Sequence, residues 1–97
     1  MIRSFYGQGT EDIFNRRRTK AARRTCPEQL RRTAERKLDQ INAVITLESL
    51  RIPPGNHLEA LVKDRDGQHS IRINDQYRIC FVWTAEGPSR VEITDYH

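Results

Sequence analysis

Arg78 stands inside the stretch Ile73-Asn74-Asp75-Gln76-Tyr77-Arg78-Ile79-Cys80-Phe81, and further on Asp95, Tyr96 and His97 follow one another directly. A fixed cation, a carboxylate, a phenol and an imidazole are the groups that metal-free cleavage of RNA calls for. One holds the phosphate while the others accept and return protons. Guanidinium suits the first task because its planar donors match two phosphate oxygens and it keeps its charge. Imidazole suits the second because it titrates near neutral pH. Each residue also has a plainer reading on sequence alone. Arg78 can be a solvated residue on an exposed sheet face, Tyr96 a packing residue at the edge of a core, and His97 part of a frayed tail.

The elements that must position these groups are read from periodicity. Tyr77, Ile79, Phe81 and Trp83 share one face of a strand, and Arg78, Cys80, Val82 and Thr84 share the other. Val91 and Ile93 continue the apolar face in the next strand, after a turn at Glu86-Gly87-Pro88. Upstream, His57 to Val62 reads as a strand leading into the turn Asp64-Arg65-Asp66-Gly67. Ser70 to Ile73 alternates before a tight turn at Asn74-Asp75. If helices cover the Tyr77 face, Arg78, Arg72 and Ser70 lie together on the opposite, open face.

Two helices precede the strands. Thr10 caps a first turn through Glu11, Asp12, Ile13 and Phe14, and that helix ends in Asn15-Arg16-Arg17-Arg18. Thr25 caps a second, with Pro27 and Glu28 in its first turn. Leu30, Ala34, Leu38, Ile41 and Ile45 lay one apolar stripe along it from about residue 27 to 44. Pro53-Pro54-Gly55 stops helix formation. Ile2 to Phe5 is a candidate edge strand. The class expected is α+β: two N-terminal helices packed on one face of an antiparallel meander of about four strands, in a single domain over residues 1–97.

Charge is spread unevenly over the 97 residues. Residues 1–37 carry 11 basic against 4 acidic side chains, and residues 38–97 carry 6 against 9, so the net +4 comes from the N-terminal third. The run Arg16, Arg17, Arg18, Lys20, Arg23, Arg24 holds no aromatic, which favours contact with nucleic-acid phosphates over base stacking. Its plainer reading is an exposed loop. Cys26 and Cys80 form no zinc-type spacing, and His57, His69 and His97 lack ligand spacing, so no metal and no cofactor are expected. No apolar run has the length of a signal peptide or a membrane span, and a reduced, cytoplasmic protein is the expectation.

Taken together, Leu58-Glu59-Ala60-Leu61, Asp64-Arg65-Asp66-Gly67, Ser70-Ile71, Tyr77-Arg78-Ile79-Cys80-Phe81 and Asp95-Tyr96-His97 resemble the HigB branch of the RelE/ParE superfamily of bacterial toxins, over nearly the whole chain. The resemblance implies the RelE-like fold and the toxin of a type II toxin–antitoxin pair. It implies a HigA-like helix-turn-helix antitoxin, with operator DNA reached only through that partner. The implied activity is metal-free endoribonucleolytic cleavage of mRNA on the ribosome, which inhibits translation and growth. In that scheme Arg78 stabilises the pentacovalent phosphate, and Asp95, Tyr96 and His97 form an acid–base cluster. The run from Arg16 to Arg24, with Arg72, binds RNA or the ribosome. The sequence departs from the family where many members carry a His and, three residues later, a Lys: those slots hold Glu59 and Val62. His57 and Lys63 lie close by but out of register, and Lys63 occupies the family's glycine slot. Glu59, where it faces the groove, is a candidate proton acceptor, with Lys63 assisting. The same departure leaves a second reading open, a toxin that binds ribosome or RNA by occupancy without cutting. A gyrase-directed activity, as in the ParE branch, is disfavoured by the Asp-Tyr-His ending.

Overall fold

The computed structural model describes residues 1–95. Its elements run α1 (Gln8–Phe14), α2 (Lys20–Thr25), α3 (Arg31–Ala43), then β1 (Glu59–Ala60), β2 (His69–Arg72), β3 (Tyr77–Thr84) and β4 (Gly87–Asp95). The four strands form one antiparallel sheet in the order β1-β2-β3-β4. The expected helices-then-meander order holds.

The helical part departs in detail. Among the described residues there are three α-helices rather than two, because the basic run folds. Lys20-Ala21-Ala22-Arg23-Arg24 is made of good helix formers, and Thr19 caps it by accepting from the Ala22 N–H at 3.0 Å. Thr25 therefore ends α2 and donates to the Ala21 carbonyl instead of capping the next helix. A 3₁₀ turn over Glu28–Leu30 leads into α3. Thr10 is likewise inside α1, which starts after Gly7. Its hydroxyl accepts from the Ile93 N–H at 3.0 Å and ties α1 to β4. Gly9 permits the close crossing of α1 on α2: a Cβ there would meet the Ala21 carbonyl oxygen at 2.5 Å.

The core lies between these helices and one face of the sheet. Ile13, Ala34, Leu38 and Ile41 are fully buried against Ile71, Ile79, Phe81 and Val91. Each such Leu, Ile or Phe contributes about 1.5–3 kcal/mol by leaving water. Ile71, Ile79 and Ile93 stand opposite one another across β2, β3 and β4 and so share the covered face. Ser70, Arg72, Arg78, Cys80, Glu92 and Thr94 alternate with them onto the other face. The candidate edge strand at the N-terminus reduces to one parallel bridge, Phe5 to Val91, with Arg3 donating to Pro88. It covers the outer edge of β4.

β1 is far shorter than the run His57–Val62 had indicated. His57 and Lys63 both have positive φ, 46° and 59°, and no extended pairing continues through them. The turns are as read: Gly67 takes φ 91°, and the Asn74 side chain accepts from the Gln76 and Tyr77 N–H groups.

Asp12 organises the α1–α2 corner. It is buried, accepts from Thr19 at 2.6 Å and from Gln8 at 2.9 Å, and pairs with Arg17 at 3.1 Å. The Thr19 and Gln8 hydrogen bonds hold its pKa below the ordinary carboxylate value. A depressed carboxylate stabilises the fold above its unfolded pKa, and that contribution disappears as pH falls through the folded value. Asp12→Asn is therefore expected to lower Tm at pH 7, with the gap to wild type closing below about pH 4. Thermal melts from pH 7 to pH 2.5 check this, and a gap independent of pH would contradict it.

Candidate functional site

Arg78 stands near the start of β3, on the face of the sheet that the helices leave uncovered. It is not solvated there; the residue is only 6 % exposed, which corrects the reading of an open arginine-lined face. Burying a guanidinium demands acceptors in fixed places. Its Nε donates to Ser70 Oγ at 2.7 Å and its Nη2 to the His57 carbonyl at 2.8 Å, while Glu59 Oε1 lies 3.3 Å from Nη2. Ser70 stands opposite Glu59 on one side and opposite Cys80 on the other, so Glu59, Ser70, Cys80 and Glu92 form a row across the sheet. Arg72, Arg78 and Thr94 form the next row.

The His57 carbonyl reaches Arg78 because the preceding residue is locked. Asn56 has no exposed surface, and its amide nitrogen donates to Leu50 O at 3.0 Å and Gln40 Oε1 at 3.1 Å. Its side-chain oxygen accepts from Lys37 Nζ. Burial, with Arg36 nearby, pushes the Lys37 ammonium pKa down. Helix α3 thus grips the loop through Lys37 and Gln40, and the loop presents a carbonyl to Arg78. Nothing in residue type alone marks Asn56 for this work.

The other sequence candidates divide. Glu59 is brought to Arg78, with its carboxylate side chain 55 % exposed on the open side. Lys63 lies beyond β1 in an exposed 3₁₀ turn. Its φ of 59° is the conformation a glycine would take most readily, which accords with its glycine-slot position. Asp95 is not brought to Arg78. Thr94 pairs with Arg78, so Asp95 pairs with Tyr77 on the other side of the strand, and its carboxylate accepts from Gln76 Nε2 at 2.8 Å. Tyr96 and His97 lie outside the described residues. Arg72 is half-exposed beside Arg78 and pairs loosely with Asp75 at 3.7 Å.

The basic run also divides. Arg16 pairs with Asp39 at 2.7 Å and is near Glu35, Arg17 pairs with Asp12, and Arg18 pairs with Glu28. The Asp39 hydrogen bond raises the Arg16 pKa further. Lys20, Arg23 and Arg24 are exposed on α2. Buried Arg31 donates to the Arg17 carbonyl at 2.6 Å and pairs with Glu35 at 3.0 Å, fixing the backbone between the helices. Both cysteines are buried and free. Burial raises the Cys26 thiol pKa to about 11 and raises that of Cys80. Among the described residues no group of three or more His, Cys, Asp or Glu side chains is placed to hold a metal ion. No described helix is long and apolar enough to cross a membrane.

The fold is that of RelE-like toxins. It superposes on the YoeB–YefM complex from Staphylococcus aureus with a TM-score of 0.53, at 13% identity, over 100% of this chain and 98% of the matched one. Residues 3–97 match the family model of HigB-like toxins, described as the RelE-like toxin of the type II toxin–antitoxin system HigB, and the chain belongs to that family. It is 42% identical over 60 residues to Toxin HigB-1 of Vibrio cholerae, covering 62% of this chain and 63% of that protein. It is 44% identical over 55 residues to an uncharacterized protein of Haemophilus influenzae, covering 57% and 54%. The matched stretch thus spans less than two thirds of the length of these curated relatives.

Asn56→Ala is expected to cost about 1–3 kcal/mol, since it leaves the buried Leu50 carbonyl and the half-buried Lys37 ammonium without their partner. Urea unfolding measures this. A loss within 0.5 kcal/mol would show that the loop is held by other contacts.

Proposed function

We propose that the chain is a toxin that cleaves mRNA on the ribosome by metal-independent transphosphorylation. The observation that carries this reading is the Arg78 guanidinium, buried and oriented by Ser70 Oγ and the His57 carbonyl before any substrate arrives. Preset donors of this kind act where charge develops in a transition state and need no reorganisation at the moment of reaction. In the proposed step the 2′-hydroxyl attacks the adjacent phosphorus and its proton passes to a base. Charge on the pentacovalent phosphate is met by Arg78, with Arg72 beside it. The 5′-oxygen leaves with a proton, giving a 2′,3′-cyclic phosphate and a 5′-hydroxyl. Glu59 is the proposed base, being a carboxylate at Arg78 with an exposed side. His97 is the proposed acid, with Tyr96 orienting the nucleotide. Lys20, Arg23 and Arg24 are the proposed ribosome contacts, since Arg16, Arg17 and Arg18 are engaged with acids of this chain. The proposed neutralising partner is a HigA-like helix-turn-helix antitoxin.

A second reading rests on the same carboxylate. Glu59 lies where an incoming phosphate oxygen would approach Arg78, and an occupant there competes with substrate. On that reading the protein inhibits translation by occupying the ribosome.

Primer extension on a defined mRNA in programmed ribosomes tests the proposal. Wild type is expected to give cuts at A-site codons. Arg78→Ala is expected to reduce them about 10²–10³-fold, and His97→Ala to weaken them. Stalled translation without cut ends would establish the occupancy reading. Glu59→Gln separates the two roles of the carboxylate. Cutting falls at least tenfold if Glu59 is the base, and rises if Glu59 only competes with phosphate for Arg78.

A further inference from the structure

An open groove of about 420 Å³ lies on the same sheet face as Arg78, lined by Tyr6, Asp64, Arg65, Gln68, Arg90 and Glu92. Glu92 is two residues along β4 from Thr94, the cross-strand partner of Arg78, so the groove begins about 7 Å along the strand from the Arg78 row. We infer that this groove is a stacking subsite for one base of single-stranded RNA, a neighbour of the phosphate held at Arg78. The inference rests on the proposed RNA-directed reading of Arg78.

Three observations favour a base over a second phosphate. The first is the platform. Tyr6 is 56 % exposed, and the Arg90 guanidinium carbon lies 5.5 Å from its ring centroid. An exposed phenol ring backed by a guanidinium offers the kind of flat surface on which bases stack.

The second is that the platform is built. Across β3 and β4 the pairing passes from Cys80–Glu92 to Val82–Ser89, so β4 bulges at Arg90 and Val91. Arg90 takes φ 53°, a conformation that non-glycine residues seldom adopt. The N-terminal segment holds that bulge in place. Ser4 Oγ accepts from Arg90 N at 2.9 Å, Ser4 O from Val91 N at 3.1 Å, and Val91 O accepts from Tyr6 N at 3.0 Å. The same contacts that hold the bulge set Tyr6 and Arg90 side by side. Bulges re-aim side chains in this way beside active sites.

The third is charge. Arg65 and Arg90 are balanced by Asp64 and Glu92, and Arg65 pairs with Glu92 at 3.1 Å. A groove with no net charge suits a neutral polar base and gives no preference to a phosphate. Gln68 and Glu92 supply an amide and a carboxylate at the wall, as edge readout requires, and the Gln68 oxygen accepts from Arg65 at 3.1 Å.

The test is binding of a 2′-deoxy trinucleotide, which cannot be cleaved, beside the same probe carrying an abasic site at each position in turn. Wild type is expected to bind, with the abasic change at one position weakening binding. Tyr6→Ala is expected to weaken the intact probe about 5- to 150-fold. It should leave unchanged the probe lacking that base, while Tyr6→Phe stays within about twofold of wild type. No binding by wild type, equal binding by Tyr6→Ala, or a Tyr6→Ala loss that persists on every abasic probe would each overturn the inference. Because the readout is binding, absence of ribosomal cleavage would defeat the nuclease reading while leaving Tyr6-dependent base binding intact. Cleavage with a Tyr6-independent affinity would do the reverse.

Discussion

A buried arginine needs acceptors, and much of this fold provides them. A guanidinium withdrawn from water without partners would cost several kcal/mol. Here a serine hydroxyl from β2, a carbonyl from the loop before β1 and a carboxylate on β1 converge on Arg78. The loop carbonyl is available only because Asn56 is clamped to α3 through Lys37 and Gln40 and to the Leu50 carbonyl. The helices therefore do more than cover the hydrophobic face of the sheet. One of them sets the geometry on the opposite face by holding the segment that wraps round to it.

The same face is bordered by backbone in the left-handed region. Among the described residues four non-glycine residues have positive φ: Arg16, His57, Lys63 and Arg90. Three of them surround the Arg78 face, flanking β1 or forming the bulge in β4. Such conformations persist only where surrounding contacts determine them. His57 and Lys63 lie on either side of the short β1, and Arg90 bends β4. The result is a sheet face whose pairing is cut short so that side chains and a carbonyl point where a regular ladder would not send them.

Much of this was legible in the sequence. Period-two alternation in Tyr77-Arg78-Ile79-Cys80 assigned Arg78 to the face away from the helices and placed Ser70 with it, because strand parity is a local rule. The pairing of Glu59 with Arg78 was less visible, since it needs the β1–β2 register. The burial of Arg78 was not legible, because it depends on a loop that folds back across the face. Asp95 misled for a related reason. It sits next to Tyr96 and His97 in the chain, yet the Arg78–Thr94 register turns it to the other side. The basic run was read as a loop because charge density masked helix propensity. Half of its guanidinium and ammonium groups proved to be engaged with acids of the same chain. Tyr6 and Arg90, 84 positions apart, are joined only by a bulge that no local pattern announces.

The claim at the centre of this account is that Arg78 is oriented before it meets a phosphate. The Nε–H resonance of Arg78, assigned by comparison with Arg78→Lys, reports on it directly during titration with a 2′-deoxy trinucleotide. The account predicts a sharp signal in the free protein, protected from exchange by Ser70, that shifts as the oligonucleotide binds and is lost in Ser70→Ala. A signal broadened by exchange in the free protein, or one that stays put while other resonances report binding, would contradict it.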